Sequence, residues 1–332
     1  MSVAGADVVV VGAGVGGLTA ALLLAGIGAQ VTVLERFDEP CDIGAGILLH
    51  PNGLAVLTAL GLAEALDGAG RASQATTIRD GRGSIVAQLP PHGSGHPWDR
   101  IVALRSSRLQ QILLAAADQP LIGIRLGAQV TAAHPDGSVE LRWRDRISTI
   151  SADLVVGADG VASTVRAGGT FGATTRETGA RYIGGLVEGA DPRRDGEYWT
   201  RLGRMVDGRL LLLGDAAHAM APMLGQGSNS AIVDAAVLAI ELAARASVAD
   251  ALLRYSARRL PAVRRVQDLA DRLVIMSAVR ARWPGAIRNG IVRRVVARPG
   301  PAVAVRELVM QEDPAALYAA VAGSLTSIPG SA

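Results

Sequence analysis

Asp215 and His218 lie three positions apart in LLLLGDAAHAMAPMLGQGSN, straight after the leucine run 210–213. An acid and an imidazole at that spacing could form an acid–base pair, ligate a metal, or serve a bound group without proton chemistry. The other histidines, His50, His92, His96 and His134, are scattered through loops with no metal-ligand spacing, so no metal is expected. Cys41 is the only cysteine. It excludes an intrachain disulfide and a cysteine-based zinc site, and it fits a reducing cytoplasm. A second Gly-Asp turn, with Asp159, ends the apolar run in DLVVGADG, and Glu35 ends another in VTVLER.

The elements that must position these acids begin with DVVVVGAGVGGLTAALLLAGIGAQVTVLER, which reads as strand, tight turn, helix, strand. Val8–Val11 is a continuous β-branched run, as in a strand buried on both faces. Gly12, Gly14 and Gly17 form G-x-G-x-x-G. The first permits the turn, the second lets backbone approach a pyrophosphate, and the third lets the helix pack closely on the strand. The helix, about Val15–Gly28, aims its amide end at the phosphates. Glu35 ends the second strand, Val31–Leu34, 18 positions after Gly17, where a carboxylate can accept hydrogen bonds from a ribose diol. The unit predicts a dinucleotide site without separating NAD from FAD. Arg36 either meets a 2′-phosphate or is a surface residue.

Further along, the pattern predicts a helix starting near Asn52 and short strands around ATTIRD and GSIVAQL, joined at Gly81–Gly83. SSRLQQILLAAAD reads as an amphipathic helix, and GAQVTAAHPDGSVELRWRD as a hairpin turning at Asp136–Gly137. Leu154–Val156 is a buried strand running into Gly157, Asp159 and Gly160 and a short helix ending near Arg166. Helices are expected over about 249–279 and 285–296, with PGPAVAVRELVM and the tail GSLTSIPGSA peripheral.

The chain's 332 residues, 49% of them hydrophobic, give a globular composition with room for a sizeable core. From Arg254 to Arg306 thirteen arginines face only Asp268 and Asp271, within a net charge of +3. With no aromatic interleaving or nucleic-acid motif beside them, they read as a solvated helical face and not as a nucleic-acid site. The apolar run Val8–Leu34 holds six glycines and is expected to be neither leader nor membrane helix, so a soluble protein is expected.

Taken together, these motifs resemble those of the single-component FAD-dependent aromatic hydroxylases, the family of the p-hydroxybenzoate and salicylate hydroxylases. The glycine fingerprint is Gly12–Gly17 with Glu35. The second motif is DLVVGADGVASTVR, with Asp159, Gly160, Ser163 and Arg166. The third is GDAAHAMAPMLGQG, with Gly214, Asp215, His218, Pro222, Gly225, Gln226 and Gly227. The resemblance implies that Asp215 meets a ribityl hydroxyl of FAD and that Asp159 serves FAD and transient NAD(P)H. It implies that Pro222 and Gly225–Gly227 lie against the isoalloxazine. Gly227, Ser228 and Asn229 then open a helix whose amide end faces the flavin N1/C2 region. Arg105, beside Ser106, stands one residue from the position where the family places an FAD-contacting arginine. His218 becomes a turn and packing residue, and Asp234 a structural hydrogen-bonding residue. The implied chemistry is NAD(P)H reduction of FAD, O2 addition at flavin C4a, and transfer of oxygen from the hydroperoxide to an electron-rich ring. No side-chain nucleophile is required.

One departure is large. Only 48 positions separate Arg166 from Gly214, about half or less of what the family usually has there. We read an internal deletion with its break near Ala190–Tyr198, leaving one strand, Tyr182–Glu188. Loss of central strands exposes a sheet edge and opens the flavin to water, which favours peroxide loss over hydroxylation unless a homo-oligomer covers the gap.

The expected fold is α/β. A doubly wound FAD-binding domain is drawn from 1–70, 101–170 and 205–250. A reduced β-sheet substrate domain comes from 71–100 and 171–204, and a helical region from 251–332. The expected activity is NAD(P)H- and O2-dependent hydroxylation of a small aromatic or polyketide-like molecule. The alternative is an FAD-binding relative with little hydroxylase activity: a redox-neutral, cyclase-like or accessory protein, or a peroxide-releasing oxidase.

Overall fold

The computed structural model describes residues 3–39, 46–73, 76–79, 83–89, 95–184, 193–277, 290 and 299–326. The chain runs β1 (Asp7–Val11), α1 (Val15–Gly26), β2 (Gln30–Leu34), β3 (Gly46–Leu49), α2 (Pro51–Ala59), α3 (Ala63–Ala69), β4 (Arg71–Ser73), β5 (Thr76–Arg79), β6 (Ile85–Leu89), β7 (Ile101–Arg105) and α4 (Ser106–Ala116). It continues through β8 (Ile122–Arg125), β9 (Gln129–Ala133), β10 (Ser138–Trp143), β11 (Arg146–Ser151), β12 (Leu154–Gly157), α5 (Thr164–Gly168), β13 (Thr174–Gly184), β14 (Arg193–Arg201), β15 (Val206–Asp207) and β16 (Leu210–Leu212). Helices α6 (Asp215–His218), α7 (Gly227–Ala243), α8 (Val248–Ser277), α9 (Pro299–Met310) and α10 (Pro314–Thr326) follow, with a 3-10 turn at Pro222–Leu224.

The valine run does what its composition demands. Val8–Val11 are buried, and β1 pairs in parallel with β2 on one side and β12 on the other. The full sheet has the order β15-β16-β12-β1-β2-β8. Its strands β1, β2, β12 and β16 therefore deliver Gly12, Glu35, Asp159 and Asp215 to one edge, as parallel strands must when each is followed by its functional turn. α1 packs on β1, β2 and β8, and α7 packs on α1. A Cβ on Gly16 would come within 2.9 Å of the Ala231 Cβ and of Leu213, so the bare glycine sets how closely the two helices meet.

Other strands sit in small sheets: β3-β7-β4, β5-β6, β13-β14, and the meander β11-β10-β9. The meander packs Val130, Val139 and Leu141 into the core. Here the sequence expectation needs correction. In place of one surviving strand at Tyr182–Glu188, β13 runs from Thr174 and pairs antiparallel with β14, Gly184 beside Arg193 and Thr174 beside Arg201. The polar stretch that reads as a turn supplies the second strand, because a two-stranded ladder needs only backbone groups.

The C-terminal helices correct two further expectations. Val309 and Met310 of α9 are buried, and Leu325 of α10 sits over Gly26 of α1, so these two stretches are structural and not peripheral where they are described. The arginine-rich α8 is not simply a solvated face. Tyr255, Arg259, Ala262, Val263, Val266 and Ala270 recur at helical spacing and are buried. Arg258 reaches Glu312 and Glu241, and Arg259 reaches Asp234. Cys41, His92, Gly81, residues 185–190, and the helix expected over 285–296, apart from Gly290, fall outside the described residues.

Candidate functional site

A cleft of about 340 Å³ opens where β1, β2 and β12 end. Val11, Gly12, Gly14, Glu35, Arg36, Ser106, Gln110 and Asp159 are among the residues on its walls. Gly12 turns the chain with φ +103, and a Cβ there would lie 2.5 Å from the Ala158 carbonyl oxygen. A Cβ on Gly17 would lie 2.0 Å from the Gly12 carbonyl oxygen, so α1 can approach the turn only through a glycine. Gly14 differs: a Cβ there meets nothing within 4 Å. Its bareness serves no packing within the protein and leaves open space along the cleft.

Glu35 is fixed by backbone. Its Oε2 accepts from the Ala13 N–H at 2.8 Å and its Oε1 from the Phe37 N–H at 3.1 Å. Each oxygen keeps a lone pair for a further donor. Asp159 caps α5: its Oδ2 accepts from the Thr164 and Val165 N–H groups at 2.7 and 3.2 Å. Its Oδ1 is buried with no partner among the described residues. A buried carboxylate oxygen left unpaired is costly, and a hydroxyl or amide donor entering the cleft removes that cost. Open space at Gly14 beside the first turn of α1, a two-acceptor Glu35 and an orphaned Asp159 oxygen suit a ribose–pyrophosphate ligand chemically.

Two side chains support the cleft from behind: Gln110, which no sequence motif singles out, and Arg166, a motif residue whose contacts the motif does not show. Gln110 Nε2 donates to the Ala13 carbonyl at 2.8 Å and so steadies the glycine turn from α4. Arg166 donates to the carbonyls of Ala216 and Val161 at 2.7 and 2.5 Å, tying the Asp159 motif to α6. Its pKa is lowered by burial, partly countered by Asp159. The Gln110–Ala13 and Arg166–Ala216 contacts join residues far apart in sequence, and no short motif announces these pairings. Arg105 is exposed at the head of α4, whereas Ser106, Ser107 and Gln110 face the cleft. Arg36 is exposed on the cleft rim with its guanidinium 4.7 Å over the Phe37 ring.

The pairing of Asp215 with His218 does not occur. His218 Nε2 meets Asp234 Oδ2 at 2.5 Å, both side chains being buried. Asp234 also accepts from the Gly214 N–H at 3.0 Å and from Arg259 Nε at 2.7 Å. Burial alone would raise its pKa, but His218, Arg259 and these hydrogen bonds outweigh burial and hold it at about 2. Asp215 is exposed and receives no hydrogen bond from the described residues. Close protein on its turn side pushes its carboxyl upward, His218 opposes this, and water on its open side moderates the shift.

Beyond Asp215 the chain makes the 3-10 turn Pro222–Leu224 and reaches Gly225 at φ +61. Pro222 and Met223 are exposed, as is Leu48 of β3. Gly227 and Ser228 begin α7 half-buried, so its first amides lie at the same opening as Asp215; a Cβ on Gly227 would be 4.0 Å from Asp215 Oδ1. Asn229 is fully buried and works as a bracket. It donates to the carbonyls of Leu48 and Gly225, both at 2.8 Å, and accepts from the His50 N–H at 2.9 Å. Gln226 is also buried, accepting from Asn52 Nδ2 at 3.1 Å. Among the described residues no His, Cys, Asp or Glu cluster could hold a metal, and no helix is long and apolar enough to cross a membrane.

Comparison with known proteins gives a consistent picture. A family model described as "FAD binding domain" matches residues 5–199 and 194–270, two stretches that meet inside β14. The chain is 31% identical to 3-amino-4-hydroxybenzoate 2-monooxygenase PtnB3 of Streptomyces platensis, over 78% of this chain and 85% of that protein. It is 26% identical to the probable 2-heptyl-3-hydroxy-4(1H)-quinolone synthase AqdB2 of Rhodococcus erythropolis, over 86% of this chain and 91% of the relative. That alignment spans 361 positions, more than the 332 residues of this chain, so the relative carries internal residues that this chain lacks. Among solved structures, a variant of 2-methyl-3-hydroxypyridine-5-carboxylic acid oxygenase superposes with a TM-score of 0.70 at 26% identity, covering 84% of this chain and 94% of that one.

Proposed function

Because the chain belongs to the FAD-binding-domain family of FAD-dependent aromatic hydroxylases, we propose that it uses NAD(P)H and O2 to hydroxylate a small aromatic or polyketide-like substrate. The observation that carries the site is Asp159 Oδ1, a buried acceptor without a partner among the described residues, in a cleft held open at Gly14.

Each residue then has a task. Glu35 accepts from ribose hydroxyls with the lone pairs that Ala13 and Phe37 leave free. Gly12, Gly14 and Gly17 let the pyrophosphate lie against the start of α1. Asp159 Oδ1 accepts a donor from the cofactor, and Ser106, Ser107 and Gln110 take the place expected of Arg105. Asp215 meets the ribityl chain. Pro222 and Gly225–Gly227 face the ring, with Ser228 and the α7 amides supplying partial positive charge to its anionic form, worth up to about 2 kcal/mol. Gln226 and Asn229 hold that turn in place. When bound, FAD supplies the path for electrons from NAD(P)H to O2 and for oxygen to the ring. His218 holds no free role in proton transfer, because its Nε2 is committed to Asp234. The cofactor domain is drawn from 1–70, 101–170 and 205–250, and the shortened substrate side from 71–100 and 171–204.

The relatives suggest the substrate classes to try: aminohydroxybenzoates, hydroxypyridine carboxylates and alkylquinolones. FAD-loaded protein should oxidise NADH or NADPH faster with at least one of them. Protein that neither retains nor binds FAD would overturn the reading. One observation favours a second reading. The two matched stretches meet where the chain is short, at 194–199. A less shielded ring would send electrons to peroxide, making the protein an NAD(P)H oxidase or a redox-neutral relative.

A further inference from the structure

Polar contacts, buried at Asp234 and Arg259 and part-buried at Gln311, run without a break between two turns that the proposed function places along the flavin. At one end the Gly214 N–H and His218 Nε2 meet Asp234 Oδ2, at 3.0 and 2.5 Å. Asp234 Oδ1 accepts from Arg259 Nε at 2.7 Å. Arg259 Nη2 donates to Gln311 Oε1 at 2.6 Å. Gln311 Nε2 donates to Ser230 Oγ at 2.7 Å and reaches Gln226 Oε1 at 3.4 Å. Gln226 immediately precedes Gly227, the first residue of α7.

Three features set this strut apart from ordinary packing. Arg259 is the largest fully buried side chain of the described residues, and a guanidinium in a core is sustained only by its partners. Gln311 holds φ +66, a left-handed conformation that a β-carbon disfavours and that persists only where surroundings impose it. Moreover, the strut draws on residues 214, 234, 259 and 311, four separate parts of the chain, yet begins and ends beside the same opening.

We propose that Gln311 is a positioning residue for the flavin. Through Gln226 and Ser230 it fixes the start of α7, and through Arg259 and Asp234 it ties that start to the Gly214 turn. The two turns thereby keep one spacing along the cofactor. The proposal rests on the flavin reading above and adds to it a residue outside every sequence motif. A helix start held rigidly stabilises the anionic reduced ring more than the neutral oxidised one. Loosening it should therefore penalise the reduced form selectively.

The test is Gln311→Gly, which suits the left-handed backbone and removes only the amide arm. Three quantities are compared with wild type: unfolding of the FAD-free protein, the FAD dissociation constant, and the midpoint potential of the bound flavin. FAD-free Gln311→Gly should unfold within a few degrees of wild type and bind FAD about threefold to tenfold more weakly. Reduced flavin should lose about tenfold more than oxidised, which for a two-electron couple lowers the potential by about 30 mV. A merely structural role would not move the potential. Should Gln311→Gly fail to fold, Ser230→Ala removes one acceptor and should lower the potential in the same direction by a smaller amount. Wild-type affinity and potential in whichever of these variants folds would overturn the proposal and leave the functional reading standing. Wild-type protein that binds no FAD would overturn both.

Discussion

On the cofactor side, β16, β12, β1, β2 and β8 run parallel in one sheet, and every acid of interest leaves a strand end at the same edge. In 71–100 and 171–204, the segments proposed for the substrate side, the strands divide into β5-β6, β13-β14 and β4, which adds to β7 of the cofactor segments. The first arrangement is over-determined by buried valines and leucines, by glycines that admit no Cβ, and by the Asp234–Arg259 pair. The second rests more on backbone ladders, and a two-stranded ribbon contributes little stability alone. A chain can lose residues from the second without disturbing the first. On the proposed reading, that is how a cofactor cleft coexists with a shortened substrate wall.

Substitutions on the two sides should differ in size and kind of effect. The largest effect belongs to Asp234→Ala, which strands Arg259 in the core. It should cost about 3–5 kcal/mol in chemical denaturation. The same group sets a pH dependence. Its folded pKa of about 2 lies below the ordinary 3.8, so its stabilisation is present above that value and lost as pH falls. Wild type should lose on the order of 2 kcal/mol from this source between about pH 5 and pH 2, and Asp234→Asn should lack that component.

Next come the glycines, which separate folding from binding. Gly17→Ala drives a Cβ onto the Gly12 carbonyl and should cost about 3 kcal/mol of stability. Gly14→Val points into open space and should leave stability within about 0.5 kcal/mol. FAD titration of Gly14→Val should nonetheless show affinity about a hundredfold lower, near 2.7 kcal/mol. Equal stability losses in the two variants would contradict the assignment of the cleft.

Smaller effects are expected across the substrate side. Thr175 and Thr200 hydroxyls meet at 3.2 Å between β13 and β14. Thr175→Val should cost about 1 kcal/mol and leave FAD affinity unchanged. A parallel fall in affinity would show that the two sides are coupled. Arg36→Ala is the smallest, within about 0.5 kcal/mol of wild type, since the side chain is exposed and touches mainly Phe37.

Much of the cofactor side is written locally. A valine run, three glycines and a terminal acid each carry a steric or hydrogen-bonding requirement readable at short range. The turn at Arg144 and Asp145, which opens β11, is not: both residues take positive φ, 49° and 61°, without a glycine to signal it. The partner of His218 is equally hidden. Asp215 is the near acid in sequence, but helical phase brings Asp234 of α7 to the imidazole and leaves Asp215 facing the opening. Gln311 lies farther still from any motif. Its role depends on α9 packing on α8 and α10 on α2, and that packing is visible only in three dimensions.

The most direct measurement partitions the electrons. FAD-loaded protein is given NADH or NADPH with aminohydroxybenzoates, hydroxypyridine carboxylates and alkylquinolones, and cofactor loss, hydroxylated product and peroxide are recorded together. A monooxygenase predicts that at least one aromatic accelerates cofactor oxidation and that hydroxylated product accounts for part of the electrons consumed. A single unchanging rate with every aromatic, and all the O2 consumed recovered as peroxide, would contradict it.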